Sequence, residues 1–253
     1  MRTYYIAGNW KMNPADDPLA LMRNVKAKCV GLNKIELMIA PPFTAIGQAS
    51  MLFKGAKIHI AGQNLFWEAD GAYTGEISAP LLKAAGADTV IIGHSERRQY
   101  FGETDETVNK RLKAALKYGL IPVVCIGETL QEREKGITLE VVGRQLSGGL
   151  TGLGEKELSS LIIAYEPVWA IGTGKVASPQ DAQEVHEFIR RKLKELYSPA
   201  FADNLRILYG GSVKPDNAKG LFEQIDIDGA LIGGASLSAE SFAAIGWAAE
   251  DLS

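Results

Sequence analysis

Eight short runs of strand-forming residues recur along the chain at nearly even intervals: Tyr4 to Gly8, Glu36 to Ala40, Lys57 to Gln63, Thr89 to Gly93, Ile121 to Ile126, Leu161 to Tyr165, Arg206 to Tyr209 and Gly229 to Ile232. Segments with helical periodicity lie between and after them, among them Leu19 to Lys28, Asp105 to Tyr118, Pro179 to Tyr197 and Ser238 to Ala249. Spread over 253 residues, the runs give units of about 32 residues, the size of one strand with its crossover helix. Eight such steps predict an α/β chain closed into a (β/α)8 barrel, the TIM-barrel architecture, with an open doubly wound sheet as the second choice. No linker, low-complexity segment or shift in composition interrupts the series, so residues 1–253 are expected to form a single domain. The period is architectural, without repeated sequence, which argues against a solenoid.

A barrel makes a sharp demand: its chemistry collects at the C-terminal ends of the strands. Asn9 and Lys11 follow the first run, Gln63 and Asn64 the third, His94 and Glu96 the fourth, and Glu166 the sixth. Gly210, Gly211 and Ser212 follow the seventh, and Gly233 with Gly234 the eighth. Each has an ordinary explanation taken singly, as a turn glycine, a packed histidine or a solvated lysine. Their shared placement on one rim does not.

The sixth run is the most informative. Leu161 to Tyr165 is apolar on both faces, as a buried parallel strand should be, and Glu166 is the first residue that burial does not explain. Pro167 biases Glu166 toward extended backbone and stops the strand. The segment Pro167-Val168-Trp169-Ala170-Ile171-Gly172-Thr173-Gly174-Lys175-Val176-Ala177 then has the composition of a lid, with apolar residues to cover something and two glycines to permit unusual backbone. An exposed loop has little use for Trp169 and Ile171 without a surface to close on.

Composition narrows the partners. With 46% hydrophobic and 23% charged residues, no run long enough to span a bilayer and nothing at Met1 to Ile6 resembling a secretion signal, the chain is expected in the cytoplasm. Cys29 and Cys125 fall in helical and strand patterns, where a buried reduced thiol is the default. A formal charge of −3 with dispersed Lys and Arg makes nucleic acid and anionic membrane poor partners, so an anionic substrate must be held by local features.

Several motifs fail on inspection. Gly172 to Ala177 fits a degenerate dinucleotide pattern, but Glu166 to Ile171 separate it from its strand, and the acid at Glu195 falls inside a helical run. A nucleotide phosphate loop fails at Trp169 and Val176, and a serine nucleophile elbow at Arg97. His59, His94 and His186 are scattered, with no metal-ligand spacing, so neither a metal nor a cofactor is expected.

What remains is a carboxylate (Glu166), an imidazole (His94), a cation (Lys11), a neutral hydrogen-bonding group (Asn9) and glycine turns able to aim amides at an oxyanion. A base and a donor beside a small phosphorylated carbonyl compound suit proton abstraction next to the carbonyl. If a helix begins at Ser95, its positive end should depress the His94 pKa and favour the neutral ring.

Five ordered motifs now carry a family resemblance: Ala7-Gly8-Asn9-Trp10-Lys11-Met12-Asn13, Gly93-His94-Ser95-Glu96-Arg97-Arg98, Ala164 to Lys175, Tyr209 to Ser212 and Gly233-Gly234. Together they closely resemble the triosephosphate isomerases from Tyr4 to Trp247. The resemblance implies cofactor-free interconversion of dihydroxyacetone phosphate and glyceraldehyde 3-phosphate through an enediolate, a step of glycolysis and gluconeogenesis. It also implies the residue roles, which are those the family is known for and are taken over from it: Glu166 as base, His94 as electrophile, Lys11 and Asn9 supporting charge, Glu96 beside them, and Gly172, Ser212, Gly233 and Gly234 holding phosphate. Val176 and Ser178 stand where the lid's trailing hinge often has Thr.

The family is typically homodimeric, and Gln63 to Ser78 resembles its interface loop, with Tyr73, Thr74 and Gly75 at the tip. Thr74 would then enter the neighbouring subunit near Lys11 and His94. Leu65, Phe66, Trp67 and Tyr73 would otherwise form an exposed apolar patch. Two alternatives are a barrel that binds phosphate without catalysis and an aldolase using Lys11 as a Schiff-base amine.

Overall fold

The computed structural model describes residues 2–13, 17–170 and 177–253. Its strands are β1 (Tyr5–Asn9), β2 (Glu36–Ala40), β3 (Ile58–Gly62), β4 (Thr89–Ile92), β5 (Ile121–Ile126), β6 (Ile162–Tyr165), β7 (Arg206–Tyr209) and β8 (Gly229–Ile232). They form a closed barrel in sequence order, each parallel to its neighbours, and β1 joins β8 in the register Tyr5 opposite Gly229 through Gly8 opposite Ile232. All eight anticipated runs are strands, trimmed or shifted by a residue where the backbone leaves the ladder.

Alternation along the strands builds two cores. Tyr5, Ala7, Met38, Ala40, Ala61, Ile91, Val123, Cys125, Ile162, Ala164, Leu208 and Leu231 form one cluster inside the barrel. The residues between them, such as Ile6, Ile39, Val124, Ile163 and Ile207, pack outward against the helices in a second. Small residues succeed large ones toward the C-terminal ends: Ala7 after Tyr5, Ala40 after Met38, Cys125 after Val123, Ala164 after Ile162. The interior therefore loses bulk at the rim where the polar residues enter.

Helix boundaries follow capping chemistry. The Ser178 side chain caps Pro179–Leu196, with Asp181 returning the bond and proline in the first turn; Thr104 and Thr107 do the same for Asp105–Lys117. Helix Pro179–Leu196 is tied to β7 and β8 by buried Arg190, whose Nε lies 2.5 Å from Asp226 Oδ1 and whose Nη2 lies 2.8 Å from Asp228 Oδ2.

The loop after β3 buries more of its apolar surface within the chain itself than the sequence implies. Leu65 is fully buried in the main core, and Trp67 is covered by the Arg111 guanidinium, 4.9 Å from its ring centroid. Phe66 lies between Trp67 and Tyr73, at centroid distances of 4.2 and 4.6 Å. Only Tyr73, at 45% exposure, is left prominent. The long-range cationic partners of Trp67 could not be read from the loop itself.

At the opposite, N-terminal end of the barrel, His59 stands between two carboxylates, with Nδ1 2.8 Å from Asp88 Oδ2 and Nε2 3.7 Å from Glu36 Oε2. Arg206 pairs with the same Glu36 oxygen at 2.7 Å. The Asp88 and Glu36 hydrogen bonds raise the His59 pKa to about 9 despite burial, from an ordinary 6.5. A raised folded-state pKa contributes stability that is complete below pH 6.5 and is lost as pH climbs through about 9. Urea midpoints followed from pH 6 to about 9.5 should therefore fall more for the wild type than for His59→Gln. Parallel profiles would show that the His59 cluster contributes no pH-dependent stability.

Candidate active site

Glu166 is the first residue past β6, and its backbone is set by two glycines. Its N–H donates to Ile126 O at 2.8 Å, prolonging the pairing with β5. A β-carbon on Gly127 would lie 1.8 Å from the Glu166 carbonyl oxygen, and one on Gly210 would lie 2.8 Å from Glu166 Cγ. Neither position tolerates a side chain while Glu166 stays where it is. The carboxylate, 2% exposed, accepts the Ser95 amide at Oε2 (2.8 Å) and faces His94 Nε2 with Oε1 (3.0 Å). Burial works to raise its pKa, but the His94 charge and hydrogen bond, the Ser95 amide and the Lys11 charge outweigh burial and hold it below the ordinary carboxylate value.

His94 is the N-cap of helix Ser95–Phe101, as the sequence suggested, and its Nδ1 accepts the Glu96 amide at 3.2 Å. A lone pair at Nδ1 puts the proton of the neutral ring on Nε2, the nitrogen facing Glu166. The anticipated depression of its pKa is not found. Burial and Lys11 do lower it, but the Glu166 charge and hydrogen bond, with Glu96, raise it further, and the balance lies above the ordinary imidazole value. The helix-terminus argument omitted a partner 72 residues away that only folding brings to 3.0 Å.

Lys11 follows β1 in a left-handed conformation, φ 51°, with its N–H donating to Asn9 Oδ1 at 3.0 Å. Its ammonium donates to Glu96 Oε1 at 2.7 Å, which places Glu96 beside the cation. An ion-paired ammonium has no free lone pair, which disfavours the Schiff-base alternative.

Asn9, Lys11, His94, Glu166, Ser212, Gly233 and Gly234 all line one cavity of about 680 Å³ at the C-terminal end of the barrel, together with Gly210, Gly211 and Leu231. Gly233 and Gly234 enter it at the start of the 3-10 turn Gly234–Leu237, and Ser212 sits in the loop after β7 with its carbonyl held by Asn217 Nδ2 at 3.0 Å. These rim residues thus converge from the ends of five strands, β1, β4, β6, β7 and β8. Of the lid, Pro167 to Ala170 and Ala177 are described; Ile171, Gly172, Thr173, Gly174, Lys175 and Val176 lie outside the described residues. Val168–Ala170 form a 3-10 turn, and Ala170 is buried.

Sequence reading missed Glu128. This fully buried acid, two residues past β5, accepts from the Tyr165 hydroxyl at 3.1 Å and from Trp169 Nε1 at 2.8 Å, while its carbonyl takes the Val168 amide at 3.1 Å. Burial pushes its pKa up, against the hydrogen bonds it accepts. Glu128 thus anchors the 3-10 turn Val168–Ala170. Its signal was an acid just beyond a strand end, the same rim rule that picked out Glu166. Among the described residues no group of His, Cys, Asp and Glu could hold a metal ion, and no helix is long and apolar enough to cross a membrane.

A (β/α)8 barrel carrying a buried carboxylate–imidazole pair beside a cation and glycine turns defines a class: acid–base enzymes acting on small anionic molecules. The triosephosphate isomerase family model matches residues 4–249. Triosephosphate isomerases of Citrifermentans bemidjiense and Moorella thermoacetica are each 56% identical to it, over 97% of this chain and 98% of theirs. The crystal structure of triosephosphate isomerase from Bartonella henselae superposes with a TM-score of 0.87 at 43% identity, covering 96% of this chain and 97% of that one. The chain belongs to the triosephosphate isomerase family.

The close approach of Gly127 to the Glu166 backbone carbonyl gives a sharp expectation. Gly127→Ala should fold but displace Glu166, lowering kcat by roughly 10²-fold, the cost of about 1 Å of misplacement. Circular dichroism and steady-state kinetics on one preparation check it. Wild-type turnover would mean that the contact is relieved without moving the carboxylate.

Proposed function

We propose that Glu166 and His94 carry out the proton transfers that interconvert dihydroxyacetone phosphate and glyceraldehyde 3-phosphate, the isomerisation of this family, with the whole chain acting as one cytoplasmic domain. The observation that supports this most strongly is the buried 3.0 Å contact between the two side chains on the wall of a cavity shared with Lys11, Ser212, Gly233 and Gly234. Substrate entering between them takes over the His94 Nε2–H for its carbonyl oxygen and frees Glu166 Oε1. Glu166 then removes a proton from carbon one, and an enediolate forms. His94 moves the proton between the two oxygens while Lys11 and Asn9 bear the developing charge, and Glu166 returns its proton to carbon two. Glu96 holds the Lys11 ammonium in place. Gly172, Ser212, Gly233 and Gly234 bind the phosphate, and the lid Pro167 to Ala177 closes over the intermediate to exclude water. Every step is a proton transfer among the chain's own groups, so the reading calls for no cofactor. A binder that had lost catalysis would have no use for a buried, positioned base.

The protein works as a homodimer in this reading. Tyr73, Met12, Tyr100 and Phe101 are 45, 94, 69 and 67% exposed in segments that follow β1, β3 and β4, more apolar surface than rim loops ordinarily leave in water. Thr74 and Gly75 are exposed at the tip of the Gln63 to Ser78 loop, the part that would enter the partner. A cytoplasmic setting fits Cys29 and Cys125, both free and buried.

Glu166→Gln should keep the fold and phosphate affinity but lower turnover by at least roughly 10²-fold, and His94→Ala by roughly 10² to 10³-fold, in a coupled assay of the two triose phosphates. Turnover within a few-fold of wild type for Glu166→Gln would remove the base from the mechanism. Shortening residues 63–78 should give monomers of reduced activity by sedimentation, and an unchanged dimer would place the interface elsewhere.

A further inference from the structure

We propose that Gln63 is a positioning residue for the isomerisation, clamping Lys11 in the left-handed backbone conformation from which its ammonium reaches the substrate cavity. The inference rests on the reading of Lys11 as a substrate-binding cation. Lys11 is the one non-glycine residue with a positive φ, 51°, among the described residues. A β-carbon in that region meets the following carbonyl oxygen, so the conformation persists only where its surroundings impose it.

Three groups of Lys11 are held from three directions. Its N–H donates to Asn9 Oδ1 at 3.0 Å, and its ammonium donates to Glu96 Oε1 at 2.7 Å. Its carbonyl accepts from Gln63 Nε2 at 2.8 Å. The same nitrogen donates its second hydrogen to Ala40 O at 2.9 Å, an oxygen that also takes the Trp10 amide at 3.1 Å. One primary amide, placed immediately after β3, thus ties the loop leaving β1 to the last residue of β2. Only a group with two hydrogens on one nitrogen can bridge two carbonyl oxygens this way, a task for which a carboxylate is the wrong polarity.

The consequence reaches the cavity. Lys11 Nζ lies 3.9 Å, and Cε 3.5 Å, from where a β-carbon on Gly233 would stand, so the clamped loop sets the cation against the glycine turn after β8. Gln63 itself is not among the described residues lining that cavity and acts only through Lys11. Without the bridge, the loop is free to relax to negative φ, and the direction of the lysine side chain changes with it.

A double-mutant cycle separates positioning from a structural strut. Gln63→Met removes the donors at similar volume, and Gln63→Glu turns an acceptor toward both carbonyls; each is made in the wild type and in Lys11→Met. In the wild-type background, Gln63→Met should lower kcat/KM by roughly 10- to 100-fold, the scale of backbone strain of this kind, and Gln63→Glu by more. In the Lys11→Met background the same changes should cost less than about twofold, because the group they position is gone. Equal losses in both backgrounds, or no loss in the wild type, would overturn the proposal. An undiminished kcat/KM for Lys11→Met alone would instead overturn the reading of Lys11, and this inference with it.

Discussion

A carboxylate and an imidazole 3.0 Å apart, both closed off from water, are the constraint around which the C-terminal end of this barrel is organised. Neither charge is tolerable there alone, since burial opposes the charged form of both. Their mutual attraction overcomes it, helped by the Ser95 amide on one carboxylate oxygen. The fold supplies what the pair requires: strands β5, β6 and β7 bring Gly127 and Gly210 to either side of Glu166, where any side chain would push it away. Helix Ser95–Phe101 begins at His94 itself, so one backbone segment both orients the ring and donates to its partner. A rigid, parallel-stranded frame is suited to this, because each site residue leaves a strand whose position is fixed by two neighbours.

The two ends of the barrel divide their tasks. At the N-terminal end, His59, Asp88, Glu36 and Arg206 pair off a mixed set of charges, and Arg206 covers the Tyr5 ring at 4.9 Å. These groups close the bottom of the barrel and line no part of the cavity at its other end. At the other end, polar groups are left aimed at a cavity, and Lys11 keeps a strained backbone. A strained backbone of this kind is tolerated where the surrounding structure over-determines it.

The architecture was legible because it is written in local pattern. Apolar runs of four to six residues at regular spacing could be strands of little else, and the rim rule then located Asn9, Lys11, His94, Glu166, Ser212, Gly233 and Gly234 without any contact being known. What escaped was every feature that depends on distant pairing. Only the bonds that Tyr165 and Trp169 donate to it, from 37 and 41 residues away, set Glu128 apart from an ordinary acid. The cover that Arg111 gives Trp67 comes from 44 residues further along the chain, beyond the reach of local pattern. Gln63 was visible as a rim residue, but its bond to the Lys11 carbonyl was not. The sign of the His94 shift failed for the same reason: a helix terminus is a local feature and Glu166 is not.

If the buried pair is the organising interaction, the proton affinity of His94 must be set by Glu166. The direct measurement is the titration of the His94 ring by nitrogen-15 chemical shifts, in the wild type and in Glu166→Gln. With Glu166 charged beside it, His94 should titrate above the ordinary value of 6.5. In the variant, burial and the Lys11 charge remain while the main raising partner is gone, so the pKa should fall below 6.5. The same midpoint in both proteins would show that the two side chains are not coupled, and would contradict the account at its centre.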